Sequence, residues 1–133
     1  MDINWKKAGF GEEEANNWIY FEFSLEEAVR WKSAGFIPER AVRWRRLGFS
    51  LESALIWKSA KFTPEVAYKW VKEGISVEEA TKWKKAGFDF EQAIRWRAAG
   101  FTPELSGELK SAGFSLKDAM KYRDLNDPSI TML

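Results

Sequence analysis

Tryptophan recurs at Trp5, Trp18, Trp31, Trp44, Trp57, Trp70, Trp83 and Trp96, each 13 residues after the one before, and these are all eight tryptophans of the chain. The same column continues as Leu109 and Tyr122. A fixed short period restricts the chain to architectures that stack copies of one unit, since each copy must bury the same residue against neighbours built the same way. Such a period defines a scaffold. Its function resides on the surface positions that the scaffold leaves free to vary.

Numbered from its tryptophan, the unit reads Trp, Lys/Arg, any, Ala, Gly, Phe, Ser/Thr, Pro/Leu, Glu, any, Ala, any, Lys/Arg. Position 7 holds Ser24, Ser50, Thr63, Ser76, Asp89, Thr102 or Ser115, side chains that accept from the free amides of a helix start. Pro38, Pro64 and Pro103 follow at position 8, where a missing amide costs nothing. Position 9 is glutamate in eight units of nine, which places negative charge against the positive end of the helix dipole. Position 5 is glycine in seven units, a residue suited to the left-handed turn that ends a helix. These signals predict one helix of about ten residues per unit. They place helices near 2–8, 12–21, 25–34, 38–47, 51–60, 64–73, 77–86, 90–99, 103–112 and 116–125.

A helix so short is marginal alone in water, so it must be held by its neighbours. Positions 8, 11, 12, 1 and 4 form an apolar arc wider than half the circumference, as in a helix packed on two sides. The remaining face carries i,i+4 pairs such as Glu26 with Arg30, Glu39 with Arg43 and Glu65 with Lys69, expected to add about 0.3 kcal/mol each.

Alternate units expose a second period of 26 residues. Units beginning at Trp5, Trp31, Trp57, Trp83 and Leu109 barely vary over their first six positions, whereas those at Trp18, Trp44, Trp70 and Trp96 differ at most unconstrained ones. The expected architecture is therefore all-α: 13-residue helix units paired into 26-residue hairpins, with one helix type in each layer of a right-handed α-solenoid. One tandem-repeat domain is expected over 1–133, with capping units at about 103–125, where the pattern weakens, and a short tail over 126–133.

Over nearly its whole length the chain resembles the α-solenoid class of stacked helical hairpins, and that resemblance implies protein–protein recognition. It is a resemblance of architecture, since the lengths of tetratricopeptide, ankyrin and HEAT units are absent. The Ala-Gly-Phe junction is also locally similar to the Met-Gly-Phe loop of ubiquitin-associated domains, but the methionine and the three-helix unit of that family are missing.

Composition narrows the function classes. There is no cysteine and no histidine, which removes thiolate chemistry, the usual general base and the commonest metal ligand. The glutamates of Glu12-Glu13-Glu14, Glu26-Glu27 and Glu78-Glu79 are adjacent in sequence and splay around a helix, so no catalytic pair forms. No enzyme activity, cofactor, metal or small-molecule substrate is expected. A net charge of +1 gives no long-range field for nucleic acid or membrane. No apolar run approaches membrane-spanning length, and Met1-Asp2-Ile3-Asn4 does not read as a secretory signal, so a cytoplasmic protein is expected.

Three surface features remain as candidates. Lys6, Lys32, Lys58, Lys84 and Lys110 recur every 26 residues without substitution, and Lys32, Lys58 and Lys84 are candidates for an acidic partner. Alternatively, each lysine complements its own helix dipole while its stem covers a neighbouring indole. Tyr20, Arg46, Lys72 and Ala98 occupy the same place in successive hairpins, and this variable column, together with Tyr68, is the candidate partner-binding face. Cations flanking the tryptophans, as in Arg43-Trp44-Arg45, suggest a single-stranded nucleic-acid surface as an alternative, and self-assembly into a structural array is a third. Lys61, in a glycine position, and Tyr20-Phe21-Glu22-Phe23, which replaces a whole junction with aromatics, depart most from the repeat.

Overall fold

The computed structural model describes residues 3–125. Among them are ten helices and no strand: α1 (Ile3–Lys7), α2 (Glu12–Tyr20), α3 (Leu25–Ser33), α4 (Pro38–Arg46), α5 (Leu51–Ser59), α6 (Pro64–Lys72), α7 (Val77–Lys85), α8 (Phe90–Ala98), α9 (Pro103–Ser111) and α10 (Leu116–Leu125). The tail expected after residue 125, with its Asn126-Asp127-Pro128 stop, lies outside the described residues.

Each helix starts where the repeat says it should. The side chains of Ser24, Ser50, Ser76, Asp89 and Thr102 accept from the amide three residues on, and Thr63 accepts likewise from the Val66 amide at 3.3 Å. At Ser24 and Asp89 the contact is returned by Glu27 and Gln92, which closes a capping box. Gly11 and Ile37 give no side-chain cap.

Helices α2 to α9 are nine residues long, one fewer than expected, because position 4 already belongs to the stop. At the end of α3, the Gly35 amide donates to Lys32 O at 2.9 Å and the Phe36 amide donates back to Trp31 O at 3.0 Å. This pair of bonds is a Schellman turn, with Gly35 at φ 93°. It also explains the five-residue spacing from Trp to Phe. The turn folds the phenylalanine edge onto the indole of its own helix, with centroids 4.9–5.4 Å apart in seven successive units from Trp5 and Phe10 to Trp96 and Phe101, the unit of Trp70 and Ile75 excepted. Glu22 and Lys61 adopt the same left-handed turn at φ 64° and 71°.

The chain gathers into two compact units, the first up to Tyr68 and the second from Lys69, so that the boundary falls within α6. In the first, α4 packs on both α2 and α3; in the second, α9 packs on both α7 and α8. Contacts between helices two apart in sequence, α2 with α4 and α7 with α9, are the same-layer contacts of stacked hairpins, so each unit follows the helical-repeat solenoid plan. The position 11 side chain is the most deeply buried of the repeat. Alanine there is 0% exposed from Ala15 to Ala119, since a larger group would push the helices apart. Both layers bury their indoles alike, Trp18 and Trp83 completely, so the alternation in sequence reflects surface positions and not two kinds of core.

Candidate interaction surface

Three lysines of the column, Lys32, Lys58 and Lys110, reach back to an earlier helix stop. A Schellman turn leaves the carbonyl of its left-handed residue without an intrahelical partner. The Lys32 ammonium donates to Gly9 O at 3.2 Å, 23 residues back, and sits 4.4 Å from the centroid of the Phe10 ring. Lys58 repeats both contacts with Gly35 O at 3.4 Å and Phe36 at 4.6 Å. Lys110 does so with Gly87 O and with Phe88 at 4.7 Å. Arginine serves equally in the other layer, where Arg45 reaches Phe21 O and, at 3.2 Å, Glu22 O, with its guanidinium 3.7 Å from the Phe23 ring. Arg123 bonds Ala99 O over the Phe101 ring. In these hairpins the cation at position 2 is thus a clamp onto the helix stop of the hairpin before. Lys84 occupies the same register on α7, and Lys6 is exposed on α1.

The charges on the outer face also pair between hairpins. Arg30 meets Glu52 at 2.7 Å, Arg43 meets Glu65 at 2.6 Å, Lys69 meets Glu91 at 2.9 Å and Lys82 meets Glu104 at 3.8 Å. Each cation reaches 22 residues forward, and so the partners differ from the i,i+4 pairs expected from sequence. A second ladder joins Lys32 to Glu14 at 3.1 Å, Arg45 to Glu27 at 3.8 Å and Arg97 to Glu79 at 2.7 Å. The Arg97 hydrogen bond holds the Glu79 carboxyl below its usual range, the Arg43 bond does the same for Glu65, and the Lys69 bond for Glu91. Glu79 also accepts from the Trp83 indole at 3.0 Å.

The variable column is arranged differently in each unit. Tyr20 on α2 is 76% exposed, and its ring stands edge-on to Phe21 at 5.0 Å. Arg46 on α4 is exposed, with its guanidinium 5.9 Å from the same Phe21 ring. Phe21 therefore brings Tyr20 and Arg46 together as one aromatic and cationic cluster. The Arg45 clamp on Phe21 O and Glu22 O ties down the junction that presents it. Phe21 itself was legible only as part of an irregular junction; that it replaces the alanine at position 4 was the available signal. Tyr68 and Lys72 share α6, the first half-buried and the second exposed.

No protein-family model, curated protein or solved structure matches this chain. The functional reading therefore rests on the geometry alone. All eight indoles are at most 6% exposed, so none presents a face on which a base could stack. Among the described residues no group of three or more acidic side chains is placed to hold a metal ion, and no helix is long and apolar enough to cross a membrane.

Proposed function

We propose that this chain is a non-enzymatic, cytoplasmic helical-repeat scaffold that binds a protein segment across the outer face of α2 and α4, anchored at Tyr20, Phe21 and Arg46. The observation that carries this reading is Tyr20, which is 76% exposed in a chain whose tryptophans are spent on packing. A tyrosine so exposed contributes little to folding. Tyrosine beside arginine on a rigid support is, however, the composition on which binding energy concentrates. The cluster fits a segment that offers an apolar side chain to the two rings and a carboxylate to Arg46.

The test places a photocrosslinking amino acid at Asn16, beside the cluster, and compares capture in cells by the otherwise unaltered chain with capture by Tyr20→Ala and Arg46→Glu. A discrete crosslinked protein that both substitutions remove supports the reading; capture indifferent to both ends it. A single-stranded oligonucleotide titrated at low and moderate salt examines the nucleic-acid alternative, which requires binding that salt weakens steeply.

A further inference from the structure

The outer ladder has a rung from which the cation is missing. Glutamate at position 9 holds a cation from 22 residues earlier at Glu52, Glu65, Glu91 and Glu104, whereas the same count from Glu39 leads to Asn17. Asparagine carries no charge, and Glu39 makes no ion pair among the described residues. We infer that the protein segment bound at Tyr20, Phe21 and Arg46 brings the missing cation itself, as a lysine or arginine side chain seated against Glu39 between the first turns of α2 and α4. This rests on the partner-binding reading and adds to it the charge order of the partner.

The space for that side chain is present. Between α2 and α4 lies an open groove of about 530 Å³, lined by Asn17 and Glu39 together with Glu12, Glu13, Ile37 and Pro38. Glu12, Glu13 and Glu39 are exposed, and Ile37 is 53% exposed beside them, so the groove offers carboxylates to a charged head and an apolar surface to the stem of a long side chain. The chain's own nearby cations are engaged or turned aside. Glu65 holds Arg43 through both carboxylate oxygens, Glu14 holds Lys32, and Arg40 lies about 100° round α4 from Glu39. Acidic side chains in a first turn would by themselves only complement the helix dipole. What points to a ligand is that the carboxylate in the register of Glu39 holds a cation in four other repeats.

The groove and the Tyr20 cluster share one stripe of the outer face. Glu39 and Arg46 are seven residues apart on α4, as are Glu13 and Tyr20 on α2, and seven residues bring a helix back to the same face about 10 Å further on. An extended segment covers that distance in about three residues. The partner therefore carries its cation about three or four residues from the apolar side chain and the carboxylate that meet the two rings and Arg46.

Selection of displayed random dodecapeptides on the whole chain tests the inference, with circular dichroism and a melting curve on each variant to establish that it folds. The selected peptides should combine a hydrophobic and acidic pair with a lysine or arginine about three or four residues away. Replacing that cation by glutamine in a synthetic copy of a selected peptide should weaken binding about tenfold, through loss of a charge-assisted bond, and Glu39→Gln should weaken the parent peptide by a similar factor. The two changes together should cost no more than either alone. Asn17→Arg, which supplies the cation from within the repeat, should weaken the parent peptide as Glu39→Gln does. Peptides selected without a basic residue, two losses that simply add, or an Asn17→Arg chain that binds as before would each overturn the inference while leaving the Tyr20 and Arg46 site standing. Peptides indifferent to both Tyr20→Ala and Arg46→Glu, or no selected peptide at all, would overturn both.

Discussion

Ser106 stands where every other described unit has alanine, and its hydroxyl is buried at 0% exposure with no hydrogen-bond partner among the described residues. Burying an unmet hydroxyl costs about 1–3 kcal/mol, whereas removing it leaves a space that alanine fills throughout the repeat. Ser106→Ala should therefore raise the unfolding free energy by about 1 kcal/mol, read as a shift of the urea midpoint at unchanged slope. An unchanged or lower midpoint would mean that the hydroxyl is satisfied in solution. Glu22 offers a second test. Its φ of 64° is a conformation that glycine adopts without strain, so Glu22→Gly should stabilise by about 1 kcal/mol while leaving the Arg45 contact with its carbonyl in place. Both positions are conspicuous from sequence because they break a column. Only the structure adds the missing partner and the backbone angle.

The helices themselves were legible almost to the residue, since caps and stops are local and each is specified within about five positions. The links between helices were not. Spacings of 23, 22 and 18 residues depend on how far one hairpin rises and turns against the next, which no local pattern encodes. For this reason the carbonyl partners of Lys32, Lys58 and Lys110 are not visible in sequence, and the outer charges read as i,i+4 pairs. The same limit applies to the candidate site: Tyr20 and Arg46 stood out as a variable column, but their meeting at Phe21 required the packing of α2 on α4. The clamp predicts that Lys58→Met, which keeps the stem but removes the charge, destabilises by about 1 kcal/mol through loss of a partly exposed charged hydrogen bond and its ring contact. Lys58→Arg should cost little, because Arg45 and Arg123 already fill that place. Equal losses for Met and Arg would show that only the lysine stem matters. The outer ladder makes a complementary prediction. Arg95 lies 22 residues before Lys117, where the repeat otherwise has glutamate, so a rung is occupied by two cations. Lys117→Glu should add about 0.5 kcal/mol, an effect that high salt removes.

Across the whole molecule these contacts govern the response to pH. The carboxyls of Glu27, Glu65, Glu79, Glu91 and Asp118 all lie below their ordinary values of 4.5 for Glu and 3.8 for Asp. Backbone amides in the caps hold down Glu27 and Asp118, and side-chain bonds to Arg43, Arg97 and Lys69 hold down Glu65, Glu79 and Glu91. A carboxyl depressed in the folded state stabilises that state fully above its unfolded value, and the contribution is lost as pH falls through the folded value. With no histidine, the chain has no side chain that ordinarily titrates between pH 5 and 8. Thermal midpoints should therefore be level from pH 8 to 6 and fall as pH drops below about 4.5, the ordinary glutamate value. Because the groups are exposed or half-buried and distributed over many hairpins, the decline should be gradual, and high salt should weaken the ladder contributions more than those of the caps. Glu65→Gln removes a rung without disturbing a cap and should flatten part of the acid decline. A midpoint that drops between pH 8 and 6, or one that persists unchanged to pH 3, would show that stability does not reside in these inter-hairpin and capping carboxylates.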